Sequence, residues 1–62
     1  MKTIKVLNRP WGYEIKEGNL FLYEYNHKEK KFCNYDIIRF ETTGNTIKDE
    51  LFIVNIIKKQ RF

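Results

Sequence analysis

One cysteine and one histidine, Cys33 and His27, are all that this chain of 62 residues offers for covalent or metal stapling. An internal disulfide is excluded, and a Cys/His zinc site, which needs several such ligands, is out of reach. A domain of this size buries only about 60% of the surface its unfolded chain exposes, and small domains commonly lean on a staple or a second subunit. The fold must therefore come from an apolar core, with self-association as the remaining aid. Length makes residues 1–62 a single domain.

The core material is branched and aromatic: eight Ile, five Phe, four Tyr, four Leu, two Val and one Trp, with no Ala and no Ser. Alanine is the best helix former, whereas β-branched and aromatic side chains suit a pleated surface. A mainly β chain is expected. Ile, Lys, Asn, Phe and Tyr fill 32 positions, and their AT-rich codons point to an AT-rich bacterium, phage or other virus.

The chain reads as short strands between turn signals. The first covers Lys2 to Leu7 and ends at Asn8-Arg9-Pro10. The second, Trp11 to Lys16, alternates Trp11, Tyr13 and Ile15 against Gly12, Glu14 and Lys16. Glu17-Gly18-Asn19 turns into a third strand, Leu20 to Asn26. The length of this turn sets the chemistry, because a one-residue slip exchanges the two faces of a strand. A two-residue loop puts Leu20 and Leu22 beside Tyr13 and Ile15. A three-residue loop, with Asn19 left-handed, puts Phe21, Tyr23 and Tyr25 there instead. The three-residue loop is the expected register, and it gathers Trp11, Tyr13, Phe21, Tyr23 and Tyr25 on one face.

His27 to Lys31 forms a charged hairpin tip, and a fourth strand follows from Phe32 to Glu41. Its apolar phase switches from Cys33, Tyr35 and Ile37 to Ile38 and Phe40, which predicts a bulge or bend near residues 36–38. Thr42-Thr43-Gly44-Asn45 is a loop. The last segment has two readings. Thr46-Ile47-Lys48-Asp49 fits a helix start, in which a Ser/Thr cap is followed three residues later by an acid. The run Leu51 to Ile57 has the length and β-branched content of a buried strand, and that reading is preferred. The expected architecture is a small antiparallel meander of four to five strands, curled or closed into a small barrel. The alternative is four strands with a C-terminal helix over residues 46–60.

No catalytic set stands out. Cys33 and His27 are the one nucleophile–base pair, and no third group is placed to orient the imidazole. Glu14 with Glu17 and Asp49 with Glu50 read as solvated charge at turns, and Gly12, Gly18 and Gly44 are isolated, so there is no phosphate loop. A non-enzymatic protein without metal or cofactor is expected. There is no leader-like or membrane-spanning apolar run, and the unpaired cysteine suits a reducing compartment, so a cytoplasmic protein with no membrane partner is expected.

The net charge of +4 is unevenly spread. Residues 1–11 carry +3, residues 28–31 carry +2 and the last seven carry +3, with acidic stretches between them. Tyr, Trp and Arg are favoured at interface hot spots. The partner-binding candidates are Trp11, Tyr13, Tyr23 and Tyr25, with Lys28, Lys30 and Lys31 at the tip and Lys58, Lys59 and Arg61 at the end. The partner is a macromolecule, with protein favoured over nucleic acid. The leading reading is an inhibitor or accessory factor of phage or mobile-element type that acts by occluding a partner's surface, such as a host defence protein. The second is a small basic binder of single-stranded nucleic acid. The third is a homodimer that buries Leu51–Ile57 between subunits.

Two local likenesses accompany these readings. Tyr25-Asn26, with Lys30-Lys31-Phe32-Cys33-Asn34-Tyr35, resembles the strand–loop–strand of cold-shock domains, with Lys31, Cys33 and Asn34 where that family has glycines. It implies single-strand binding. Arg9-Pro10-Trp11-Gly12-Tyr13-Glu14 is similar to a stretch of cupin sugar-phosphate isomerases. Those enzymes need a larger barrel and several metal ligands, which this chain lacks, and the likeness implies no activity here.

Overall fold

A computed structural model describes residues 1–60 throughout and Arg61 through its backbone. Four strands, β1 (Lys2–Val6), β2 (Arg9–Lys16), β3 (Asn19–Asn26) and β4 (Lys31–Arg39), precede one helix, α1 (Thr46–Arg61). The strands form one antiparallel sheet in sequence order, a meander that stays open, with β1 and β4 at its edges. The expected mainly β meander is present. Of the forms it could take, four strands plus a C-terminal helix is realised, and the barrel is not.

The first two turns are each two residues long. Leu7 and Asn8 have φ of 52° and 65°, and Glu17 and Gly18 have φ of 49° and 77°. Two consecutive left-handed residues make the mirror-image turn whose twist matches that of paired strands. Val6 and Arg9 close the first turn, so the next pair, Lys5 with Pro10, is a non-hydrogen-bonded one. The amide that Pro10 lacks is thus not needed by β1, and the proline sits inside β2 instead of ending it.

The second turn overturns the expected register. Lys16 pairs with Asn19, Ile15 with Leu20 and Tyr13 with Leu22. Glu17 and Gly18 take the left-handed positions, and Asn19 is the first strand residue. Leu20 and Leu22 therefore join Trp11 and Tyr13 in the core, while Phe21, Tyr23 and Tyr25 face the other way. The physical reason is the helix. An inner face of Leu20 and Leu22, each fully buried, packs closely under α1, where three further rings would not fit in so small a layer.

The bulge is present, close to its expected place. Leu22 pairs with Asp36 but Tyr23 pairs with Asn34, leaving Tyr35 as the extra residue. A bulge brings successive side chains towards one face. Tyr35 packs edge-on against Trp11 at 5.1 Å, and Asp36 accepts a bond from Gln60 of α1 at 3.2 Å.

The last segment is a helix because the sheet's inner face needs a cover. Asp49, Ile53 and Ile57, spaced by four, are all buried, and Val54 and Ile56 pack at the margins. Each fully buried isoleucine contributes about 1.5–3 kcal/mol. A strand over residues 51–57 would need apolar cover on both sides, and a single sheet supplies one. The N-terminus is capped one residue earlier than the Thr46 pattern suggests. The Asn45 carbonyl accepts the Asp49 amide at 2.9 Å, and its side-chain oxygen accepts the Lys48 amide at 3.1 Å. Asp49 turns back to the preceding loop. It accepts from the Thr42 hydroxyl, from the Thr43 amide at 2.9 Å and from the Thr43 hydroxyl at 2.8 Å. These donors hold its carboxyl below the ordinary aspartate range. No helix among the described residues is long and apolar enough to cross a membrane.

Candidate functional site

Strand pairing divides the side chains between two faces. The inner face, under α1, carries Val6, Trp11, Tyr13, Leu20 and Leu22, all buried. The outer face is built in rows by the register. Glu14, Phe21 and Ile37 form one row, and Thr3, Gly12, Tyr23 and Asn34 the next. Tyr25 lies beside Phe32, and Lys16, Asn19 and Arg39 complete the face at the turn end. Phe21, Tyr23, Tyr25 and Phe32 are half-buried by one another, and Ile37 is 54% exposed. No described element of the chain covers this face. The Met1 side chain lies against it where a Cβ on Gly12 would sit, so Gly12 leaves a seat for it.

The aromatic group expected from the sequence is thereby split. Trp11 is 1% exposed and Tyr13 4%, so both belong to the core and not to a partner surface. Tyr13 donates to Glu50 at 2.6 Å, and burial first, then this carboxylate, pushes its hydroxyl up to about 12. Tyr23 and Tyr25 stand on the outer face. Tyr25 meets Phe32 edge-on at 5.2 Å and His27 at 5.0 Å. Tyr23 donates to Glu14 at 3.2 Å, and Lys16 lies 3.5 Å from the same carboxylate. The Tyr23 hydroxyl, and then Lys16, hold Glu14 below the usual carboxylate range.

The basic candidates fall in two separate places. Lys28, Lys30 and Lys31 are exposed at the β3–β4 tip, where Asn26 organises the turn by accepting the Lys28 and Glu29 amides at 2.9 and 3.1 Å. This tip adjoins Tyr25 and Phe32. Lys58 and Lys59 are exposed at the far end of α1, on the other side of the sheet. The Arg61 side chain lies outside the described residues. Cys33 pairs with Glu24, which shares the inner face with Trp11, whereas His27 packs on Tyr25 at the outer face. Cys33 and His27 both line one open pocket at this end of the sheet, together with Arg9, Glu24 and Lys28. The Cys33 thiol donates to Glu29 at 3.6 Å. No group of three or more metal-ligating side chains occurs among the described residues.

Sequence reasoning passed over Phe32, Ile37, Lys5 and Arg39 as parts of this face. The signal that finds them is Glu17-Gly18 read as a complete two-residue turn, since it fixes every facing downstream to the bulge.

Comparison with known proteins adds no relative: no family model, no curated protein and no solved structure matches the chain.

Proposed function

We propose that the protein is a non-enzymatic binding protein, an inhibitor or accessory factor of the kind phages and mobile elements encode, that occludes a partner protein with its outer sheet face. The observation that carries this reading is the uncovered cluster of Phe21, Tyr23, Tyr25, Phe32 and Ile37. Antiparallel sheets often leave one face to water, but that face is then mostly polar. A contiguous apolar patch marks an interaction site. Tyrosine supplies large contact area with little rotamer entropy to lose, and Phe and Ile add plain hydrophobic contact. The T-shaped packing of Tyr25 with Phe32 and His27 and the carboxylate of Glu14 in mid-face suit a protein surface better than a stack of bases.

A photo-crosslinking residue at position 32 is expected to trap a host protein that one at position 59 does not. Tyr23→Ala with Tyr25→Ala abolishes that capture at unchanged circular dichroism. Equal capture from both positions, or loss only through unfolding, rejects the sheet face.

One observation favours single-stranded nucleic acid as a second reading. Lys5, Lys16 and Arg39 rim the outer face, and among the described residues Glu14 is the one acid on its strands. Glu24 and Asp36 face the helix side, and the other acids lie in turns, loops or α1. This reading predicts oligonucleotide affinity that falls by orders of magnitude between about 50 and 200 mM salt, as phosphate contacts do. Anisotropy with labelled oligothymidine that is flat across that range removes it.

A further inference from the structure

We infer a second binding site, at the β1 edge of the sheet, that takes an extended acidic peptide segment as a fifth strand. β1 is hydrogen-bonded to β2 on one side only, so its other edge presents unpaired backbone groups. Beside that edge runs a groove of about 370 Å³ between β1 and α1. Ile4, Ile47, Leu51 and Val54 line it, with Lys5 and Glu50 at its rim. Ile47 is 74% exposed and Leu51 62%, so a substantial apolar surface is in water.

The two features fit one occupant. A strand added to a sheet edge sends alternate side chains to opposite faces. On β1 the inward positions neighbour Ile4 and the groove, and the outward positions neighbour Thr3 and Lys5. Backbone pairing gives affinity in such complexes, and pockets for alternate side chains give specificity. The inward side chains are therefore apolar. The outward ones lie beside Thr3 and Lys5, so an acid there meets Lys5; Lys2 shares the inward face with Ile4, and the strand carries no acid. Lys48 and Lys58 are exposed on α1 as well. Glu50, the acid at the groove, is already occupied as acceptor of the Tyr13 hydroxyl. An occupant that alternates apolar and acidic residues meets Ile4 and the groove with one set of side chains and Lys5 with the other.

A second copy of the chain is a poorer occupant. Two β1 edges meeting about a two-fold axis would gather four lysines, two on each face, into one short seam with no carboxylate on either strand to offset them. The other sheet edge is protected in a different manner, since the bulge at Tyr35 interrupts β4. β1 has no such interruption in its pairing. The site shares Lys5 with the rim of the outer sheet face but none of that face's aromatic cluster, and it stands without that cluster.

The test uses the whole protein and a labelled peptide of about ten residues that alternates valine and glutamate, with a matched valine–lysine peptide as control. Anisotropy is expected to show saturable binding of the glutamate peptide and at least tenfold weaker binding of the lysine one. Lys5→Glu and Leu51→Asp each weaken the glutamate peptide about tenfold or more, and both positions are exposed enough to leave circular dichroism unchanged. Tyr25→Ala leaves peptide affinity unchanged, which separates this site from the sheet face. Equal affinity for both peptides, no binding of either at millimolar concentration, or loss of affinity with Tyr25→Ala in place of Leu51→Asp overturns the proposal. So does a wild-type dimer in sedimentation that Leu51→Asp converts to monomer, because the groove is then filled by a second copy.

Discussion

The two faces of the sheet are made from the same four strands and both carry apolar side chains, yet only one of them is closed. The inner face is closed by α1, and its Trp11, Leu20 and Leu22 have essentially no contact with water. The outer face carries Phe21, Tyr23, Tyr25, Phe32 and Ile37 and is covered by no described element. A chain with one helix can close one side of one sheet. The difference teaches that the inner face accounts for stability and the outer face is surplus to it, which is why function is sought there.

The sharpest way to break that contrast is to remove volume from the inner face. Leu22→Ala deletes a fully buried side chain between Trp11, Tyr13 and α1, and large-to-small core changes cost about 2–5 kcal/mol. That is a large share of the few kcal/mol a domain of this size holds. Urea denaturation is expected to show a variant that is barely folded at room temperature. A variant as stable as the wild type would mean that α1 does not close this face in solution.

The second and third predictions concern the polar groups that attach α1 to the sheet and the preceding loop. Asp49 has a folded pKa below its ordinary value, so its contribution is full above that ordinary value. It is lost as pH falls through the lowered folded one. Asp49→Asn is expected to lower the urea midpoint near neutrality and to flatten its decline on the acid side of about pH 4. An unchanged acid limb would show that the Thr42 and Thr43 contacts do not persist. Tyr13 has the opposite sign. Its folded pKa of about 12 lies above the unfolded value of about 10, so its contribution is present below the unfolded value and fades between the two. Tyr13→Phe removes the bond to Glu50, costs about 1 kcal/mol at neutral pH and should remove this part of the alkaline loss. A wild-type tyrosine absorbance titration with all four tyrosines ionising near pH 10 would contradict the burial of Tyr13.

The inner and outer faces also differ in how far the sequence reveals them. The strands were legible because Trp11-Gly12-Tyr13-Glu14-Ile15-Lys16 alternates with period two, and the bulge was legible because the apolar phase of β4 changes. The facing was not, because Glu17-Gly18-Asn19 supports two loop lengths, and Glu17 in a left-handed conformation is the less familiar choice. Tertiary packing decided it, with Leu20 and Leu22 fitting beneath Ile53 and Ile57. The helix was hidden for a related reason. Its β-branched residues argue locally for a strand, and only the need to cover Trp11 and the leucines makes residues 46–61 a helix. Of the aromatic binding candidates, Tyr23 and Tyr25 keep a place on an open surface, whereas Trp11 and Tyr13 were misread through that one slip.

The smallest expected effect is the most direct check on the outer face. Ile37→Thr keeps a β-branched residue opposite Phe21, at a position already 54% exposed. Exposed substitutions of this kind change stability by less than about 0.5 kcal/mol, and strand preference is retained. The denaturation midpoint is therefore expected to stay where it is, at every protein concentration. A loss of more than about 1 kcal/mol that grows with protein concentration would carry a different meaning, because binding a second subunit stabilises by mass action and removing that contact removes the dependence. The outer face would then be the inside of a homodimer, and the surplus of aromatic surface would be accounted for by the chain itself and not by a foreign partner.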